Sequence, residues 1–344
     1  MTSLKTDVLV RLGAACNRTL VLPLVIFYPT SRCNSRCVSC DWWRHDGSSD
    51  LTLDEIDRLA RALPALGTTM VVFSGGEPLL RPDVFEAASL FRRQGMALHL
   101  LTSGVLLERR ADDVAREFSR VCISLDATTE ELYARVRGVT ALGIVSRGIA
   151  RLRQIAPRLP LTARSTLHRA NFRELPRLIR HAQALGLDGI SFLAADVSSR
   201  AFGRQPGADL SSLVLDRDEI AEFETIVDET IRSCHEAFAN GFVAESPDKL
   251  RRLPRYYAAL AGDGPFPAVR CDAPWVSVVV EANGDVRPCF FHEPVGTVRR
   301  TPLDRIVRKP LCAFRGTLDV TRDPVCQRCV CSLKTGWRHA PWHQ

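Results

Sequence analysis

Cys33-Asn34-Ser35-Arg36-Cys37-Val38-Ser39-Cys40 sets three thiols within eight residues, immediately after the apolar run Leu24–Tyr28. Three thiolates on one loop can converge on a single metal centre if the loop wraps it. A cubane iron–sulfur cluster usually takes four thiolates, so three would leave one iron without a protein ligand. An open coordination position is where metal sites do chemistry. The alternative is a partial zinc site, for which His45 is the nearby candidate for a fourth ligand.

Outward from this loop, β-like runs alternate with amphipathic helical runs. Strands are expected at Leu24–Tyr28, Thr69–Ser74, Ala97–Thr102, Arg120–Asp126, Leu161–Thr166 and Gly189–Leu193. Helices are expected at Thr52–Leu63, Asp83–Gln94, Glu108–Glu117, Glu130–Ile155 and Phe172–Leu185. Thr52 with Glu55 reads as a capping box, and Asn171 as the cap of the fifth helix. Strands recurring about every 30 residues with helices between them imply parallel pairing through right-handed crossovers. An open sheet and a barrel both satisfy this pattern. In either, sites form at the C-terminal ends of the strands, and the three thiols follow such an end.

The 344 residues are 46% hydrophobic and 25% charged, an ordinary globular composition with room for one large domain or one plus a smaller one. The longest apolar stretch, Leu20–Tyr28, contains Pro23 and falls far short of the roughly 20 residues of a membrane helix. Met1–Cys16 lacks the pattern of a secretory signal, so a cytoplasmic protein is expected. The net charge of +7 comes from 42 arginines and only four lysines against 39 acidic residues. The arginines are scattered over presumed helix faces, with no basic block interleaved with aromatics, which argues against a nucleic-acid partner. Twelve clustered cysteines without a signal favour metal ligation over disulfides.

Cys-x3-Cys-x2-Cys after the first strand resembles the signature of the radical S-adenosylmethionine (radical SAM) superfamily. The resemblance implies an incomplete (β/α)6 TIM-like barrel. It also implies a [4Fe–4S] cluster on Cys33, Cys37 and Cys40, whose open iron binds the amino and carboxyl groups of S-adenosylmethionine (SAM). Reductive cleavage to a 5′-deoxyadenosyl radical would follow. Ser74-Gly75-Gly76-Glu77-Pro78 resembles the family's GGEP motif, which contacts the methionine amine; glycines permit close backbone approach and a carboxylate suits an ammonium. Thr102-Ser103-Gly104 is similar to the family's Thr-Asn-Gly. Ser124-Leu125-Asp126 stands where the family often places ribose contacts, and Cys122, Ser124 and Asp126 share one strand face. By the same resemblance Arg164 and Ser165 are candidates for the methionine carboxylate and the ribose, and Leu193 for the adenine. Arg135 and Arg137-Gly138 match a further family pattern. One departure is Ser39, where the family usually has a bulky residue on the adenine; Trp42 and Trp43 follow closely and are candidates to cover the cofactor instead.

The sequence 196–212 reads as a loop, Asp216–Ala239 as a long helix and Gly262–Pro267 as a linker. Two strands, Val276–Glu281 and Val286–Phe291, flank Asn283-Gly284, a strong hairpin signal. A short helix, Leu303–Val307, and a cysteine-rich tail follow. Cys271-x12-Gly284-x4-Cys289 followed by Cys326-x2-Cys329-x-Cys331 resembles the SPASM and twitch extensions of radical SAM enzymes. A twitch-like extension with one auxiliary [4Fe–4S] cluster is the better match, on Cys271, Cys289, Cys326 and Cys329, with Cys331 as the alternative to Cys329. Cys312 reads as a structural thiol, and His292 as a surface or capping residue. A structural zinc ribbon is the competing reading. The expected organisation is an extension at 1–20, a core at 21–215, a helical linker at 216–268 and an auxiliary domain at 269–344.

The implied function is a radical SAM oxidoreductase abstracting hydrogen from an unactivated carbon of a small-molecule or peptide substrate. The auxiliary cluster would relay an electron, and a flavodoxin or ferredoxin would supply reducing equivalents. Only residues 1–20 precede the first strand, too few for a leader-peptide domain, and no cobalamin-binding domain is evident. Radical epimerisation and peptide crosslinking are the alternatives within the family, with Cys122 or Cys234 as candidate hydrogen donors. Outside it, the alternative is a zinc-stabilised binding protein.

Overall fold

The computed structural model describes residues 4–16, 18–205 and 207–333. Residues 334–344 of the expected auxiliary domain lie outside the described residues. Six parallel strands carry the core: β1 Leu24–Phe27, β2 Met70–Phe73, β3 Ala97–Thr102, β4 Arg120–Ser124, β5 Leu161–Leu167 and β6 Gly189–Ala194. Each pairs in parallel with the next, and helices cross over between them. All four residues of β1 are buried, the mark of a parallel strand covered on both faces. The outer layer packs Phe27, Phe73 and Phe91 against one another, with centroids 5.3 to 5.7 Å apart.

The sheet does not close, and it continues past β1. Strands β7 Ser277–Val280, β8 Asp285–Arg287 and β9 Gly296–Thr297 give the order β6-β5-β4-β3-β2-β1-β7-β8-β9. β7 lies parallel to β1 and the hairpin then runs antiparallel. The cysteine-rich region therefore extends the core sheet directly. Gly284 holds the hairpin turn at φ +90°, as Asn-Gly predicts. β8 is shorter than expected, because Pro288 has no N–H to continue the ladder.

Three other expectations change. The capping box at Thr52 and Glu55 forms, but the expected helix Glu130–Ile155 is two, Glu130–Arg137 and Leu142–Ile155. Gly138 ends the first at φ +68°, its N–H on the Ala134 carbonyl. Asn171 does not cap its helix: its Oδ1 accepts from His168 N–H, and its Nδ2 donates to the carbonyls of Asp126 and Thr166. The expected helix Asp216–Ala239 breaks at Cys234 into Arg217–Ser233 and His235–Ala239. Helix Arg252–Leu260 then returns to the sheet, and Tyr257 Oη donates to Leu167 O at 2.6 Å and accepts from Ala195 N–H at 3.0 Å. This ties the linker to the C-terminal ends of β5 and β6.

Candidate active site

β1 delivers the chain into the three-thiol loop, which is clamped from three sides. Asp50 accepts the Ser31 N–H at 3.0 Å and the Ser31 hydroxyl at 2.8 Å. The turn after β2 donates Gly76 N–H to Thr30 O and Glu77 N–H to Arg32 O, at 3.1 and 2.8 Å. The end of helix Glu130–Arg137 accepts Arg36 N–H and Val38 N–H on the carbonyls of Arg137 and Val136. Glycine is obligatory at both contacts: a Cβ would fall 2.1 Å from Arg32 O at Gly76 and 2.4 Å from Arg36 O at Gly138. The glycines of the GGEP-like turn thus admit the cysteine loop itself.

The 196–205 segment covers the loop. Phe202, in the left-handed region at φ +63°, accepts Asp41 N–H at 2.9 Å. Arg204 is buried, pairs with Asp196 at 2.6 Å and donates to Ser39 O at 3.0 Å. Neither residue carried a motif in the sequence. Trp42 is buried edge-on against Tyr28, while Trp43 lies under Arg44.

Burial pushes all three thiols up from their ordinary value, Cys33 to about 11. Beside Cys37 and Cys33 sits Arg137, buried and permanently charged, paired with Asp126 at 3.0 Å. Its Nε has no partner. Three half-buried thiols beside a fixed positive charge suit an anionic thiolate-bound cluster, so the residues fit the implied group.

Glu77 is buried and joins several expected residues: its carboxylate accepts from Thr102 Oγ1 at 2.8 Å, Ser103 N–H at 2.6 Å and Leu79 N–H at 3.1 Å. Ser103 Oγ reaches Asn34 Oδ1 at 3.3 Å, which links this network to the cysteine loop. Ser74 and Gly75 complete the turn, Gly75 at φ +100° over Tyr28, and Pro78 opens the short helix Pro78–Leu80. Asp126 has a partner on each oxygen, Thr166 N–H at 2.8 Å and Arg137 at 3.0 Å, so it organises the site from within the wall. Arg164 pairs in register with Ser124 and donates to Ser191 Oγ at 3.1 Å. Ser165 corrects the expectation: neighbours on a strand face opposite ways, and its side chain lies with Leu161, Ala163 and Leu167 in the core, away from Arg164. Leu193 is half-buried and shares its strand face with Ser191.

A cavity of about 390 Å³ occupies the barrel lumen. Cys122 and Arg164 line its sheet side, and Cys271, Cys289, Cys326, Cys329 and Cys331 line the other. These five thiols influence one another electrostatically, and burial pushes Cys289 up to about 11 and Cys326 to about 12. Cys331 also stands near Tyr28 and Arg164. Cys312 lies apart, beside Arg315. Cys234 is not brought to the lumen: it ends helix Arg217–Ser233 and packs on the outer core. His292 corrects another expectation, since it is buried with Nε2 3.4 Å from Cys326 Sγ. None of the twelve cysteines, all within the described residues, forms a disulfide. Among the described residues no helix is long and apolar enough to cross a membrane.

The pattern of the Radical SAM superfamily matches residues 27–182, and that of the SPASM iron–sulfur cluster-binding domain matches residues 271–330. A PqqA peptide cyclase of Streptomyces rochei is 30% identical over 321 residues, 87% of this chain and 79% of the cyclase. An Fe-coproporphyrin III synthase of Methanosarcina barkeri is 28% identical over 229 residues, 65% of this chain; the chain spans only 54% of the synthase. Among solved structures, Streptococcus suis SuiB bound to S-adenosylmethionine superposes with TM-score 0.64 at 14% identity, over 95% of this chain and 76% of SuiB. Native anSMEcpe with bound AdoMet gives 0.63 at 17%, over 88% and 84%. The chain belongs to the radical SAM superfamily. It is a SPASM-bearing member with a partial barrel, whose cofactors are [4Fe–4S] clusters and SAM.

Proposed function

We propose that this protein is a radical SAM oxidoreductase acting on an unactivated carbon of a small molecule or peptide held in the lumen. When bound at the three-cysteine loop, the cluster and SAM supply the 5′-deoxyadenosyl radical that takes the hydrogen. Cys33, Cys37 and Cys40 hold the cluster. Glu77, with the turn Ser74–Pro78, Thr102 and Ser103 behind it, receives the methionine amine. Arg164 receives the methionine carboxylate, Ser124 faces the ribose and Leu193 the adenine. Arg204 and Phe202 close the loop against water. Cys271, Cys289, Cys326 and Cys329 hold the auxiliary cluster.

One observation carries the reading: the auxiliary thiols and the Cys122–Arg164 face line the same cavity. The carbon radical left by hydrogen abstraction must lose one electron and a proton to become an oxidised product, and a cluster on the auxiliary thiols of the same cavity would be placed to take that electron. A peptide substrate is favoured by the cyclase that matches most of the chain, and the net charge of +7 would suit an acidic flavodoxin or ferredoxin as donor. The test is anaerobic purification with iron, sulfide and zinc counted per chain, then 5′-deoxyadenosine release with dithionite. About eight irons, and release that vanishes in a Cys33/Cys37/Cys40→Ala variant, are expected. Zinc persisting after reconstitution with iron and sulfide would overturn the reading.

Cys122 supports a second, redox-neutral reading, because its thiol faces the lumen beside Arg164. In that case Cys122→Ala stops turnover while SAM cleavage continues, and product made in heavy water carries deuterium. If the variant turns over normally, Cys122 is no donor.

A further inference from the structure

Among the described residues, His292 is the one buried histidine in contact with an auxiliary thiol. Its Nε2 lies 3.4 Å from Cys326 Sγ and 3.6 Å from Asp323 Oδ1. Phe314 meets the ring edge-on at 4.8 Å, and Arg287 donates to the His292 carbonyl at 2.9 Å, so ring and backbone are both held. The ring forms part of the wall between the lumen and an outer cavity of about 620 Å³.

Three roles are open to such a histidine: cluster ligand, ligand of a separate ion with Cys326 and Asp323, or hydrogen-bond donor to the Cys326 sulfur. Two ligand atoms 3.4 Å apart would have to share one metal, since tetrahedral ligands of a single ion stand about 3.5 Å apart. A cubane iron carries three sulfides and has one position left, which Cys326 fills. His292, Asp323 and Cys326 lie close enough to share a separate ion, but Asp323 Oδ1 is taken by Val325 N–H at 3.0 Å and Cys326 N–H at 2.9 Å as the cap of helix Pro324–Gln327, so that ion would be left with Oδ2 and with a thiolate already given to the cluster. A metal-bound thiolate has no proton to give, so in the contact the nitrogen donates. Asp323 Oδ1 on the same side favours the proton on Nε2.

We infer that His292 is a positioning residue of the auxiliary cluster, its Nε2–H donating to the Cys326 thiolate and setting the cluster's reduction potential. This rests on the reading that Cys326 holds that cluster. Hydrogen bonds to ligating sulfurs withdraw electron density and raise the potential.

The test uses the full chain with Cys33, Cys37 and Cys40 changed to Ala, which leaves the auxiliary cluster alone. His292→Phe and His292→Gln are added separately, and iron, zinc and midpoint potential are measured on each. About four irons are expected in all three proteins. The potential should move negative in His292→Phe and return toward the parent in His292→Gln, which keeps an N–H. An unmoved potential in His292→Phe overturns the inference, as does iron loss confined to the His292 variants, which would make it a ligand, or zinc bound by the parent and lost with His292. Absence of any cluster in the parent background overturns instead the reading beneath it. Where His292→Phe fails to fold, pulsed EPR of the ¹⁵N-histidine-labelled, reduced parent decides: a weak coupling supports the bond, and a strong coupling or none refutes it.

Discussion

Arg137 and Asp126 form the ion pair on which the cysteine loop leans, and replacing Arg137 by Met tests how much. The pair is 3.0 Å apart, with side chains 12% and 6% exposed, so solvent screens it little. Removing one member of a buried pair leaves an uncompensated charge and costs about 3–5 kcal/mol. Against a total stability of about 5–15 kcal/mol, that is a large fraction. Asp126 keeps only the Thr166 N–H in the variant, since its other oxygen loses its partner. Asp126→Asn in the same chain removes the stranded charge while sparing the acceptor for Thr166. The double variant should therefore be less destabilised than Arg137→Met alone, with a coupling of about 1–3 kcal/mol. Urea unfolding of the metal-free protein, followed by circular dichroism without oxygen, measures each corner of the cycle. The loaded protein should suffer more than the metal-free one, because Arg137 also faces Cys37 and Cys33. A loss below about 1 kcal/mol in the single variant, the range of a surface bridge, would refute the reasoning. So would a double variant no better than the single one.

Gly76→Ala should empty the three-cysteine site, since its Cβ would fall 2.1 Å from a backbone oxygen that cannot retreat; about four irons instead of about eight per chain is the expected count, and full loading would refute it. With Cys329 as the fourth auxiliary ligand, Cys329→Ala should lose the auxiliary iron while Cys331→Ala, whose thiol also stands near Tyr28 and Arg164, should keep it; the reverse pattern would exchange their roles. The metal-free protein should be stable up to pH 9 and lose stability toward pH 11. Cys33 and Cys289 rise from the ordinary 9.0 to about 11 on burial, so the folded state holds their protons more tightly and ionisation above 9 favours unfolding. A melting temperature flat from pH 8 to 11 would contradict that.

The first strand ends were readable because each of the first four apolar runs stops at a distinctive polar motif, and β3 falls on Ala97–Thr102 in both sequence and structure. What escaped the sequence depends on partners far along the chain. Gly138 sits inside a helical pattern that tolerates glycine, and its requirement comes from Arg36, a hundred residues earlier. Arg204 and Phe202 lie in a stretch whose Ser, Gly and Asp content says only loop, yet they cover the thiols. Asp126 was legible as a site residue by its motif, but nothing local could show that Arg137 and Thr166 occupy it. Ser165 is a different kind of error, because strand alternation already sets it opposite Arg164. His292 had one cue, its place three residues after Cys289, and no spacing rule to make it count.

Parallel pairing of β7 with β1 explains why two sulfur sites belong to one machine. Phe27 pairs with Val280, so the strand that feeds the first thiol loop is hydrogen-bonded to the strand that follows Cys271. Tyr28 N–H continues the ladder to Val280 O at 2.9 Å, and the Tyr28 ring stands near both Cys40 and Cys331. A free-standing auxiliary domain could drift by the ångströms that govern electron transfer and substrate fit. A hairpin continuous with the core sheet cannot move without breaking ladder bonds, which fixes the auxiliary thiols on the lumen wall. A bulky or charged residue in place of Val279, which faces the lumen-side cluster of Tyr28, Trp42 and Leu24, would disturb both sites together. A lesion in the tail alone would disturb only one.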